Sequence, residues 1–161
     1  MFPDIKTTGE IKLIGMRERM SFAENRTFEL WREFMPRRFE VENALPNRLY
    51  SVQIYDIAPY SEKFNMHTEF EKWAAVEVSE FIQTPEGMET HILSGGEYAV
   101  FDYKGTPEMF HKTAQYIFLE WLPASGFELD AREHFEILGE KYLGSNNPES
   151  EEEIWIPVKR V

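Results

Sequence analysis

The chain contains no cysteine. Disulfide frameworks, thiolate metal sites and cysteine nucleophiles are therefore excluded. No apolar run approaches ~18 residues, the length a membrane-crossing helix needs. The opening MFPDIKTTGE lacks the basic segment and apolar stretch of a secretion leader. A cytoplasmic protein is the resulting expectation. Positive charge is also scarce. Lys and Arg number 17 against 29 Asp and Glu, a net charge of −12. A field of that sign repels phosphate backbones and anionic lipid and attracts cations, so neither direct nucleic-acid contact nor membrane binding is expected. The four histidines, His67, His91, His111 and His134, have no metal-ligand spacing. LSGGEY has glycines but not the order or following helix of a nucleotide loop. No metal or cofactor is expected, and no Ser or Thr sits in a recognisable nucleophile setting.

What is present is the material of one globular domain. At 161 residues the chain can bury roughly 70% of its unfolded surface. No linker or low-complexity tract divides residues 1–161. Aromatic residues are in surplus, with 4 Trp, 7 Tyr and 13 Phe, and such a surplus commonly lines pockets or interfaces.

Periodicity sets out the elements. EIKLIGMRERMSF (10–22) alternates apolar and polar residues as a strand does. Asn25 then caps a helix in which Phe28, Trp31, Phe34 and Met35 fall on one face, with Pro36 and Arg37–Arg38 at its end. LYSVQIYD and EKWAAVEVSEF follow as strands, and METHIL as a short extended segment. After Gly95–Gly96 the order restarts. EYAVFDYKG is a strand, and Thr106–Pro107 opens a helix whose stripe is Phe110, Ala114, Ile117, Phe118 and Trp121. HFEILGEKY and EEIWIPVKR close the series. Two strand–helix–strand–strand units predict an α+β fold in which two βαββ repeats build one antiparallel, concave sheet. Both helices lie on one side, leaving the other side free to bind.

Strand parity assigns faces. In the last strand Ile154, Ile156 and Val158 read as helix-covered core, so Glu153, Trp155 and Pro157 share the opposite face. In KWAAVEV the same logic places Trp73, Ala75 and Glu77 there. Two indoles beside a carboxylate form a coherent site for a delocalised cation, the rings attracting it and the acid neutralising it. The blander alternative stays open: the tryptophans simply cover the sheet or a dimer contact, and Glu153 is a solvated edge charge.

LSGGEYAVFDYKG, IFLEWLPASGFELDAREHFEILGEKY and SEEEIWIPVKRV, with LWREFMPRRFEV and KWAAVEV upstream, resemble the GyrI-like small-molecule-binding domains. These are the effector-binding domains of AraC-type and MerR-type multidrug regulators. The resemblance implies an aromatic pocket for lipophilic cationic compounds with a buried glutamate on the last strand, matching Glu153. It carries over Trp73 and Trp155, and further Tyr50 and Glu136, as ligand-binding residues. The DNA-binding helix-turn-helix of the regulators has no counterpart here, so a stand-alone binding module is expected. Two alternatives come with the family. One is hydrolysis of cyclopropane-bearing alkylating natural products, with Glu153 activating water and Tyr50 or Tyr98 polarising a carbonyl. The other is a gyrase-inhibitor-like contact with a protein partner. An unpaired edge strand leaves a homodimer open.

Overall fold

The computed structural model describes residues 1–161. Nine strands and two main helices follow the order expected from periodicity, with additions at the edges. The first repeat runs β2 (Ile11–Met20), α1 (Thr27–Arg37), β3 (Leu49–Ile54) and β4 (Phe70–Val78). The second runs β6 (Gly96–Lys104), α2 (Pro107–Tyr116), β8 (His134–Leu138) and β9 (Glu151–Arg160). Strands β1 (Asp4–Thr8) and β5 (Glu89–Leu93) flank the repeats, and β7 (Phe127–Leu129) pairs β9. The antiparallel order is β1-β6-β9-β8-β3-β4-β2-β5. The two repeats therefore meet at the β8–β3 seam, related by a pseudo-two-fold axis near the Val52–Phe135 pair.

Helix α1 starts after Asn25, whose Oδ1 accepts the Thr27 amide at 3.0 Å, satisfying one of the free donors of the first turn. It buries Leu30 and Phe34 against Ile14, Met16, Ala74, Val76 and Val78. Phe28 was expected on that face, but is exposed, because Leu30 and not Phe28 completes the apolar arc with Phe34. Helix α2 begins at Pro107, with Thr106 as the residue before it. It runs on through a π turn, Ile117–Trp121. That extra residue per turn aims Trp121 at Phe101, edge to face at 5.1 Å. Ile117, Phe101, Ile154, Ile156 and Val158 form the second helix-side core.

The sheet is strongly curled. From β1 to β2 the hydrogen-bonded path crosses six strand spacings, about 29 Å if flat. Yet only Gly9 and Glu10 join them, a reach of about 11 Å. The β5–β6 connection, Ser94–Gly95, is equally short. The two halves must therefore fold toward one another, and their inner faces enclose a third core: Leu13, Tyr50, Val52, Trp73, Ala75, Leu93, Tyr98, Val100, Phe135, Ile137 and Trp155. Closure is tight where β2 meets β4. A Cβ on Gly15 would stand 2.1 Å from Ala74 O and 2.7 Å from Ala75 Cβ. No helix is long and apolar enough to cross a membrane.

Candidate functional site

The inner face follows the parity expected. Across β9, β8, β3 and β4 one lateral row reads Trp155, Phe135, Val52, Trp73. Three strand spacings, about 14 Å along the sheet, separate the two indoles. They are not in ring contact, but stand on opposite walls of the curl. Trp155 stacks on Phe135 at 5.2 Å, and Tyr98 meets both edge-on at 5.6 and 5.2 Å. These rings fill the groove: Trp73 is 3% exposed and Trp155 8%.

Glu153 lies in the next row, beside Ile137, with Tyr50 one strand further. Its Oε1 accepts the Trp155 indole N–H at 3.1 Å; no cation is in contact with it, and Arg48, which stands nearer Glu77, feels it only at a distance. Tyr50 is fully buried and donates its hydroxyl to Glu77 at 2.6 Å. Burial, and then the Glu77 carboxylate, push the phenol well above its usual range and keep it protonated. Arg48 Nη1 stands 3.7 Å from Glu77.

The pseudo-two-fold supplies a second acid–indole pair. Glu71 accepts the Trp73 indole N–H at 2.9 Å, as Glu153 does for Trp155 two residues on. Here, however, the carboxylate is occupied: Arg17 Nη1 lies 2.5 Å from Glu71, and Arg17 Nε 2.7 Å from Glu89. Burial alone would raise Glu71, but the bonds from Trp73 and Arg17 outweigh it and hold the acid low. Beside Trp73, His91 tilts against the indole at 5.3 Å and bonds Glu133 at 2.7 Å. Burial opposes ionisation of Glu133, but the contacts from His91 and the Ser94 amide dominate and draw it to about 2. On the other wall Lys6 Nζ sits 5.8 Å above the Trp155 ring.

Four of the five residues expected at the site therefore share this face: Glu153, Trp155, Trp73 and Tyr50. Glu136 does not. Phe135 and Ile137 point into the groove, so the residue between them must point to the helix side, where Gln53 Nε2 donates to it at 3.1 Å. Glu71 and Glu77 were not singled out as site residues, although both share the parity of Trp73. Arg17 and Lys6 carried no sequence signal, since β1 and β2 become walls of one groove only through the curl.

A duplicated βαββ sheet curled around an aromatic groove with acids on its walls is the architecture of a domain that encloses small molecules. The chain belongs to the GyrI-like small molecule binding domain family, whose profile matches residues 1–159. It is 28% identical over 146 residues to the transcriptional regulator BrlR of Pseudomonas aeruginosa, covering 91% of this chain. The chain spans about half, 51%, of that relative's length. Among solved structures, SAV2435 bound to tetraphenylphosphonium superposes with a TM-score of 0.72 at 13% identity, over 99% of this chain and 94% of that one. A hydrolase from Listeria innocua, encoded by lin2189, gives a TM-score of 0.59 at 13% identity over 98% and 92%. At such identities these likenesses are of fold.

Proposed function

We propose that the groove binds lipophilic aromatic cations, with Glu153 as the counter-charge and Trp73 and Trp155 as the walls. One observation carries this reading: Glu153 is the carboxylate of the two acid–indole pairs that has no cation of its own. Glu71, its pseudo-symmetric counterpart, is neutralised by Arg17, whereas Glu153 keeps only the Trp155 N–H. A cation entering between the walls gains the ring faces and an unspent acid together. The bound tetraphenylphosphonium in SAV2435, a bulky aromatic cation, supports the same ligand class for this fold. Because the rings fill the groove, binding requires Trp155 and Phe135 to part, and Lys6 to leave the Trp155 face. The acidic surface draws cations toward the entrance.

Titration of tryptophan fluorescence with tetraphenylphosphonium tests the proposal. Saturable quenching is expected, with affinity at least tenfold weaker in Glu153→Gln, a loss of about 1.4 kcal/mol or more. Absent quenching, or equal affinity in the variant, refutes it.

A second reading rests on Tyr50. Its hydroxyl, two strands from Glu153, gives its one proton to Glu77, so it polarises a carbonyl only where the substrate displaces Glu77, while Glu153 activates water. Hydrolysis of a cyclopropane-bearing alkylating compound would then follow, and mass spectrometry after incubation decides it. Unchanged substrate leaves binding as the function.

A further inference from the structure

The helix side of the sheet has a gap in its apolar cover. Helix α1 covers β2 and β4 and α2 covers β6 and β9, each with its own core. Between the two cores, the central strands carry polar side chains on that face: Ser51, Gln53, Lys72, His134, Glu136 and Glu152. The alternation is fixed by inward-pointing Tyr50, Val52, Trp73, Phe135 and Ile137. The β3–β4 loop crosses over the seam. Tyr60, in a left-handed backbone conformation with φ 64°, lays its ring on Phe118 of the π turn at 4.9 Å. Beneath it Lys72, Glu136 and Glu152 are only partly exposed, so the polar strip is a crevice on the opposite side of the sheet from the groove.

Its charges are of both signs, and they do not meet. Lys72 has neither an ion pair nor a hydrogen bond, and neither does Glu152; both feel one another and Glu136 only at a distance. Glu136 receives Gln53 and has no cation in contact. His134 is 4% exposed and has no hydrogen-bonding partner in the chain. Its ring is fixed between Tyr55, edge-on at 4.9 Å, and Phe118 at 6.0 Å. No polar atom of the chain is both sealed from solvent and unsatisfied, so the histidine's unpartnered ring nitrogens keep a narrow opening to solvent. A buried polar group without a partner is costly, and a lysine beside two carboxylates would ordinarily close on one of them. Standing on three strands, β4, β8 and β9, they do not. A guest with both charges would satisfy all of them at once.

We propose that this crevice is a second ligand site, for a small zwitterion of the α-amino-acid type. The guest's carboxylate pairs with Lys72 and its ammonium lies between Glu136 and Glu152, with His134 as a neutral hydrogen-bonding partner. Protonation agrees with an unfilled site of this kind. Burial lowers Lys72 and raises both glutamates, Glu152 to about 7, with Glu136 as its second cause and Lys72 opposing. Burial, then Arg132, holds His134 neutral at about 3. The inference does not depend on what fills the groove.

The test uses the full chain and L-alanine, with two half-probes of similar size: ethylammonium lacks the carboxylate and propionate lacks the ammonium. Side-chain NMR signals of Lys72 and His134 are followed from 1 to 50 mM. Alanine should shift both saturably, with each half-probe at least tenfold weaker. Lys72→Met and Glu152→Gln should each weaken alanine at least tenfold, with the dispersed signals of a folded chain retained. Should one variant fail to fold, the other variant and the half-probes still decide. No shift at 50 mM, half-probes equal to alanine, or unchanged affinity in a folded variant overturns the proposal.

Discussion

Glu152→Gln should stabilise the protein at alkaline pH and leave it unchanged at acid pH. The carboxyl of Glu152 is raised to about 7, first by burial and then by Glu136, against about 4.5 in an unfolded chain. Below pH 4.5 both states are protonated, and the residue contributes nothing to pH dependence. Between 4.5 and 7 the unfolded chain ionises while the fold does not, so stability falls as pH rises. Above 7 the loss saturates. The difference between about 7 and 4.5 corresponds to at most about 3.4 kcal/mol. Since the side chain keeps a path to water, about 1–3 kcal/mol is the working range. Glutamine keeps the shape and removes the charge. Urea unfolding by tryptophan fluorescence at pH 4.5 and pH 8.5 measures the difference. With a slope of 1–3 kcal/mol/M, the variant midpoint at pH 8.5 should be higher by about 1 M. Equal differences at both pH values, or a variant less stable at pH 8.5, would refute the assignment of Glu152 as a desolvated acid.

Acid should act through different residues. His134 is neutral in the fold down to about 3, while an unfolded histidine takes its proton near 6.5, so stability declines as pH falls below 6.5. At pH 5 the cost is about 2 kcal/mol, and His134→Gln should flatten the fall between pH 7 and 5 by that amount in the same urea assay. Glu133, drawn to about 2, contributes stability that is present above pH 4.5 and lost below it; Glu133→Gln should remove that lower limb. Gly15→Ala should cost about 3 kcal/mol or more, or abolish folding, because its Cβ would strike the Ala74 carbonyl. A melting temperature equal to wild type would show that the β2–β4 closure yields easily.

Both repeats were legible because each rests on a local period: two in KWAAVEV and EEIWIPV, and near 3.6 in the stripes of the two helices. Parity alone put Glu153, Trp155 and Trp73 on one face. The face of Glu136 was not legible, because HFEIL sits at the seam, where both faces of the strand are enclosed and composition does not say which one lines the groove. Strand β1, DIKTT, was missed for a related reason. It pairs only on one side, with β6, and nearly all its side chains are exposed, so no burial pattern marks it. Phe28 fitted the helical stripe but lies beyond the sheet that the helix covers. The helix-side crevice was invisible, since its six polar residues come from four strands and are neighbours only through register.

The two-residue link between β1 and β2 has one more consequence, for autonomy. Strand β1 completes the second repeat's edge by pairing β6, yet it leads straight into β2 of the first. The β3–β8 ladder ties the repeats again at the centre. Neither half can therefore be cut free as a complete unit: a break near Gly95 would strip the second half of its edge strand and the first of its partner strand. The two similar halves are thus stitched into one sheet, and neither is complete without strands that the other supplies.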